Sequence, residues 1–174
     1  MTEFSLRPFQ WSDIPAITNI YRHYVENTAI TFDTEAPDET AIAEKYAGLK
    51  RLGHPVIIAE REGKVLGYAY ASFYRPRAAY RFTCEDSIYL DPTATGKGLG
   101  KLLLTELLAQ SKAFGFKQMR AVITPHTNGA LVSYIGAAVG PSVKRPNESI
   151  ERFSISPRRN SVSVDTSQKV GVDP

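Results

Sequence analysis

Cysteine is almost absent from this chain of 174 residues. Cys84 stands alone, so no internal disulfide can form and a reducing compartment is expected. Histidine is nearly as rare. His23, His54 and His126 have no Cys, His or acidic partners at ligand spacing, so no metal is expected. Tryptophan occurs once, at Trp11. No apolar run reaches the roughly 18 residues of a membrane span, and Met1-Thr2-Glu3-Phe4 shows no basic region leading into an apolar one. A cytoplasmic protein without a signal peptide is the expectation. A large excess of one charge is missing too. The net charge of +3 is mild and the basic residues form no stripe, which argues against nucleic acid as a partner.

What remains is an ordinary globular composition. At 43% apolar and 22% charged, the chain can build one domain with a real core. Phe4 to Pro8 alternates as a first strand. Ser12 and Asp13 offer N-caps, with Pro15 in the first turn of a helix that carries Ile14, Ile17, Ile20, Tyr21, Tyr24 and Val25 at helical spacing. Asp38 opens a second helix and Gly53 stops it. Pro55 to Glu60 and Val65 to Phe73 read as a hairpin turning at Glu62-Gly63. Tyr80 to Leu90 reads as a strand, Leu99 to about Gly115 as a helix, and Met119 to Thr124 as a strand. Asn128 to about Ala138 reads as a further helix. Ser149 to Ile155 is a candidate strand, and Val162 and Val164 hint at another. After about Pro157 the composition is that of a mobile tail.

One stretch carries more than architecture. Thr95-Gly96-Lys97-Gly98-Leu99-Gly100-Lys101 lies between the strand end Ser87-Ile88-Tyr89-Leu90 and a helix that starts at Leu99. Glycines leave backbone N–H groups uncovered, and a helix start adds unpaired N–H groups and the positive end of a dipole. Together they make an anion seat, best suited to a phosphate. A dinucleotide fold wants G-x-G-x-x-G near the first strand, and a P-loop wants Ser or Thr where Leu102 sits. Neither fits. A glycine-rich turn that merely caps a helix is the plain alternative.

The element order, with the glycine loop after the fourth strand, resembles the GNAT superfamily of N-acetyltransferases. Its pyrophosphate loop reads Arg/Gln-x-x-Gly-x-Gly/Ala, and Thr95 replaces the usual first residue. Within it, Arg77-Ala78-Ala79-Tyr80-Arg81-Phe82-Thr83-Cys84-Glu85-Asp86-Ser87-Ile88-Tyr89-Leu90 looks like the substrate strand of phosphinothricin and methionine sulfoximine acetyltransferases. Phe32 falls where those have an aromatic pocket residue. The resemblance covers roughly residues 3 to 130. Beyond Asn128 the chain departs. The family continues with a helix ending in Leu-Gly-Phe and a Trp-containing strand, whereas here Leu131 to Gly140 reads differently and no later Trp exists. A rebuilt C-terminus or a shifted reading frame would account for that.

The resemblance implies an α/β fold. It has a mixed, mostly antiparallel sheet with helices on both faces and a bulged, splayed fourth strand. It implies an acetyltransferase domain over 1–157, with a flexible tail over 158–174. It implies acetyl-CoA as co-substrate, transfer to the α-amine of a small amino-acid analogue, a detoxifying role and a homodimer. Glu85 would be the base, directly or through a water, although a solvated strand carboxylate is its plain alternative. Backbone groups of Ile88, Tyr89 and Leu90 would pair with the pantetheine arm, the Leu90 N–H polarising the acetyl carbonyl. Gly96, Lys97, Gly98, Leu99, Gly100 and Lys101 would hold the pyrophosphate, and Asn128 the arm. Arg75 and Arg77 would clamp the acceptor's acid groups, since guanidinium forks bind carboxylates and phosphinates bidentately. Tyr80 and Ser87 would add hydroxyl contacts. Tyr134 is placed near the leaving thiolate, with a core-facing tyrosine as the plainer reading. Cys84 reads as a buried structural thiol. An acyl-CoA sensor without turnover, or an enzyme acting on peptide or polyamine amines, are the alternative functions.

Overall fold

The computed structural model describes residues 4–28, 30–31, 33–122, 152–156 and 161–165. Its described strands are β1 (Ser5–Pro8), β2 (Val56–Arg61), β3 (Lys64–Phe73), β4 (Thr83–Leu90), β5 (Gln118–Val122), β6 (Arg152–Ser156) and β7 (Ser161–Asp165). They form one sheet in the order β1-β2-β3-β4-β5-β7-β6. Every pairing is antiparallel except β4 with β5. The helices are α1 (Ile14–Asn27), α2 (Glu39–Arg51) and α3 (Leu99–Phe114).

Local signals place most boundaries. Asp38 caps α2, its carboxylate accepting from the Ala41 N–H at 2.8 Å. Glu62 and Gly63 both have positive φ, 53° and 77°, as a two-residue hairpin turn requires. Asp13 does not cap α1 as expected. A short 3-10 turn, Trp11–Asp13, precedes the helix, and the Asp13 carboxylate is engaged elsewhere. It accepts two bonds from Arg7, at 2.7 and 2.8 Å, and one from the Gln10 N–H. Arg7 also reaches Glu60 on β2. The fork-shaped cation matches both oxygens of this buried acid.

The sheet separates two cores. On one face α3 buries Leu99, Leu103 and Leu107 against Ile57, Ala69, Ala71, Cys84 and Met119. On the other, α1 and α2 bury Ile17, Ile20, Tyr46 and Leu49 against Ile58, Tyr68 and Tyr70. Truncating one of these leucines to alanine would cost roughly 2–5 kcal/mol.

Two boundaries, and the bulge expected in the fourth strand, differ from expectation. β4 begins at Thr83, because Ala78–Tyr80 forms a 3-10 turn closed by Tyr80 N–H to the Arg77 carbonyl. Residues 161–165 do not begin a tail. They form β7, paired with β5 on one side and β6 on the other, as the alternation of Val162 and Val164 with serines allows. β4 is splayed, but its register against β3 runs without a shift from Gly67↔Leu90 to Phe73↔Cys84. The splay comes from its other side, where pairing with β5 stops after Glu85. A register slip does occur between β2 and β3, at Ala59/Glu60. The helix expected from Asn128 lies outside the described residues.

Candidate active site

The hydrogen-bond frame of β4 shows what the splay exposes. Tyr74 N–H donates to the Thr83 carbonyl, and Asp91 N–H donates to the Leu66 carbonyl. In an antiparallel ladder, bonded and non-bonded pairs alternate. Glu85, Ser87 and Tyr89 are therefore bonded to β3, opposite Ser72, Tyr70 and Tyr68. Ile88 and Leu90 turn their backbone N–H and C=O groups the other way. On that side β5 pairs only Thr83–Glu85 with Gln118–Arg120. Beyond Glu85 no described residue of β5 pairs with β4, and the groups of Ile88 and Leu90 face this unpaired stretch, a gap among the described residues. The Leu90 carbonyl is met there by the Tyr24 hydroxyl, 2.7 Å away. Burial raises the pKa of that hydroxyl, so it remains a donor.

The glycine loop follows β4 after a short 3-10 turn, Pro92–Ala94. Gly96 and Gly98 have φ of 73° and 81°, a left-handed conformation that favours glycine, and a Cβ on either would meet nothing within 4 Å. Gly98 is the N-cap of α3 and contributes no side chain, so the first-turn N–H groups are bare of a side-chain cap. The first helical bond is Leu102 N–H to the Gly98 carbonyl. Thr95 Oγ1 donates to the Pro92 carbonyl, and Lys97 Nζ to the Thr93 carbonyl at 2.7 Å, so both brace the turn. Lys101 is exposed in the first turn of α3. Two bare N–H rows, in the gap and at the helix start, lie in sequence order. They fit a long ligand with amides at one end and phosphates at the other.

The acceptor side lies on the opposite face of β4. Side chains of Glu85 and Ser87 share the face of Tyr89, which packs toward α1. Glu85 is half-buried. Burial raises its pKa, and the positive charge of Arg120 pulls it partly back. Arg120 is the Cα partner of Glu85 on the parallel strand β5. Its guanidinium carbon lies 4.4 Å from the centre of the Tyr74 ring. Arg75 reaches the same ring at 5.1 Å, and Tyr80 meets it edge-on at 5.4 Å. Tyr74 thus gathers Arg75, Tyr80 and Arg120 beside Glu85. Arg77 is exposed and joins through its carbonyl, which accepts from Tyr80 N–H.

Cys84 faces α3. Burial, chiefly, pushes its thiol up to about 12, which keeps it protonated and unreactive at neutral pH. Phe32, Asn128 and Tyr134 lie outside the described residues. Sequence reasoning missed Tyr24, Tyr74 and Arg120. Arg120 had a visible signal, as one charge set in the apolar run from Met119 to Val122, but its neighbour on β4 was not readable. The groove of about 480 Å³ lined by Trp11, Ile14, Pro15 and Thr40 contains none of these residues. Among the described residues, no helix is long and apolar enough to cross a membrane. No described group of three or more His, Cys, Asp or Glu could hold a metal ion.

A strand that loses its partner, a helix start without a side-chain cap and a flanking carboxylate come together in this fold, and the comparisons give the chain a family. Residues 17–140 match the model of the acetyltransferase (GNAT) family, and the chain belongs to it. It is 43% identical over 126 residues to a phosphinothricin N-acetyltransferase of Alcaligenes faecalis, across 72% of this chain and 64% of that protein. It is 37% identical over 112 residues to an L-methionine sulfoximine/L-methionine sulfone acetyltransferase of Salmonella typhimurium, across 64% of this chain and 66% of that one. The chain therefore spans just under two thirds of the length of these relatives. Its fold is similar to that of yncA from Salmonella typhimurium, solved with its cofactor acetyl-CoA, at TM-score 0.81 and 25% identity over 99% of both chains. It is also similar to a phosphinothricin acetyltransferase of Sinorhizobium meliloti in complex with AcCoA. That match has a TM-score of 0.74 and 36% identity, over 94% of this chain and 86% of that one.

Proposed function

We propose that the chain transfers the acetyl group of acetyl-CoA to the α-amine of a small amino-acid analogue, of the phosphinothricin or methionine sulfoximine class. The observation that carries this is a strand whose described pairing with β5 stops at half-buried Glu85, followed in the chain by a glycine loop and a helix start without a side-chain cap. Acetyl-CoA supplies an activated thioester. The chain's own residues do the rest. Gly96, Lys97, Gly98, Leu99, Gly100 and Lys101 seat the pyrophosphate on backbone N–H groups. Ile88, Tyr89 and Leu90 lay out the pantetheine arm, with Asn128 assisting. The Leu90 N–H donates to the thioester carbonyl where negative charge develops. Glu85 takes the proton of the attacking amine, directly or through a water, and burial, by raising its pKa, makes it a stronger base than an exposed carboxylate. Arg75 and Arg77 hold the acceptor's acid group, Tyr80 and Ser87 add hydroxyl contacts, and Phe32 packs against its stem.

Detoxification, a homodimeric state and a cytoplasmic location belong to this reading. The names of the relatives support the acceptor class. The test follows free thiol release with acetyl-CoA and a panel of amines. Turnover on phosphinothricin or methionine sulfoximine is expected. Tight acetyl-CoA binding with no turnover on any amine would instead mark an acyl-CoA sensor. Polyamine or peptide turnover would replace the acceptor class.

A further inference from the structure

Arg120 sits at a place that chemistry constrains. It is the register partner of Glu85 on the neighbouring parallel strand, so the two side chains leave the same face about one strand spacing apart. In an α-amino acid only two bonds separate the nitrogen from the carboxyl carbon. An amine delivered to Glu85 therefore brings its carboxylate to whatever stands beside Glu85. Arg75 belongs to the connection after β3, three residues past Ser72, the register partner of Glu85, and so stands farther along the sheet from Glu85 than Arg120 does.

The stacking on Tyr74 matters as well. A guanidinium already held over an aromatic ring loses less side-chain freedom when it binds an acid. Charge balance points the same way. Arg120 is half-buried on a strand whose neighbours Met119 and Ala121 are buried in the apolar core. When Glu85 takes up the proton of the amine, its negative charge next to Arg120 disappears. A carboxylate bound with the substrate keeps a negative charge beside Arg120 through that step.

We propose that Arg120 receives the α-carboxylate of the acceptor, while Arg75 receives a second acidic or strongly polar group at the far end of its side chain. The proposal rests on the acetyltransferase reading above and sharpens its acceptor. The substrate is an amino acid with a free α-carboxylate and a polar terminus, and amines lacking the adjacent acid are rejected. Arg120 is here a specificity residue, distinct from the base.

The experiment compares phosphinothricin, its α-carboxamide and 2-aminopentanoic acid on wild type, Arg120→Gln and Arg75→Gln. Wild type should prefer the free acid over the amide by about 10- to 150-fold in acceptor KM, the range of one charge-assisted bidentate contact. Arg120→Gln should lose that preference and keep the preference for phosphinothricin over 2-aminopentanoic acid. Arg75→Gln should do the reverse. The acetyl-CoA KM should be unchanged in both, which reports an intact fold. Arg120→Lys, which keeps the charge without the fork, should restore part of the discrimination, and it decides the matter if the glutamine variant does not fold. An Arg120→Gln enzyme that still discriminates acid from amide as wild type does overturns the proposal and leaves the acetyltransferase reading standing. A wild type that acetylates acid and amide equally also overturns it. No thiol release by wild type on any of the three sinks the reading of a small amino-acid analogue as acceptor, and this proposal with it.

Discussion

Tyr24 on α1 donates its hydroxyl to the carbonyl of Leu90, the last residue of β4, at 2.7 Å. The two are far apart in sequence and meet where β4 has parted from β5. The bond occupies the one carbonyl at the strand end that would otherwise aim a lone pair into the gap. It leaves the N–H of the same residue as the group offered there.

Tyr24→Phe keeps the ring and removes that bond. Tyr24 packs against Tyr89 and His23, so the ring contacts should survive. A net loss of about 1 kcal/mol in stability is expected. Because a bare carbonyl now faces the donor substrate, the acetyl-CoA KM should rise while the acceptor KM holds. Equal rises in both would show that Tyr24 supports the fold alone.

Glu85→Gln should lower kcat by about 10² to 10⁴ and spare acetyl-CoA affinity. The wild-type rate should also depend on pH in a defined sense. Burial raises the Glu85 pKa above its ordinary 4.5, and the base is lost as pH falls through the raised value. The acid limb of kcat/KM should therefore have its midpoint above 4.5. Removing Arg120 withdraws the charge that lowers this pKa, so the limb should move to still higher pH in Arg120→Gln. A limb that stays put in that variant would separate Arg120 from the base.

The glycine loop needs a substitution that does not confuse strain with occlusion. Gly98 has φ of 81°, so any side chain there costs roughly 1–2 kcal/mol whether or not a phosphate binds. Gly100 carries no such constraint, and a Cβ on it meets only Leu90 Cδ1, at 3.7 Å. Gly100→Leu should thus raise the acetyl-CoA KM at least 10-fold, an effect of about 1.4 kcal/mol, with the melting temperature within a few degrees of wild type. Normal acetyl-CoA binding in this variant would move the phosphate elsewhere.

His54 gives a stability prediction away from the site. It is buried among Phe73, Phe114 and Phe116, and neither ring nitrogen has a hydrogen-bond partner among the described residues. Burial lowers its pKa below the ordinary 6.5. The unfolded chain then takes up the proton more readily, so this contribution is complete above pH 6.5 and is lost as pH falls through the lowered value. The melting temperature should drop between pH 7.5 and pH 5, and His54→Phe should shrink that drop. An identical drop in the variant would assign it to other groups.

Much of this was readable from local chemistry. The hairpin at Glu62-Gly63, the cap at Asp38 and the start of α3 after Gly98 each rest on one or two residues with a single physical job. The glycine loop and Glu85 were equally visible, because their chemistry needs particular residue types next to one another. What escaped depends on contacts between distant segments. Arg120 gains its meaning from a parallel pairing that closes only after α3 has crossed the sheet. Tyr24 read as one more apolar position on a helix, since nothing near it in sequence names Leu90. Asp13 looked like a cap until Arg7 claimed it. β7 was only hinted at by two valines, because its partners lie on two other strands.

The strict alternation of β4 has a consequence for how such a protein changes over generations. Its eight residues divide between two tasks by parity. Cys84, Ile88 and Leu90 look toward α3 and the donor side, while Glu85, Ser87 and Tyr89 look toward α1 and the acceptor side. On the proposed reading, substitutions at odd numbers other than Glu85 can retune which amine is modified without disturbing the even-numbered frame that presents the acyl donor. A short strand thereby separates an inherited reaction from an adjustable diet of substrates, and relatives with different acceptors can diverge one side chain at a time.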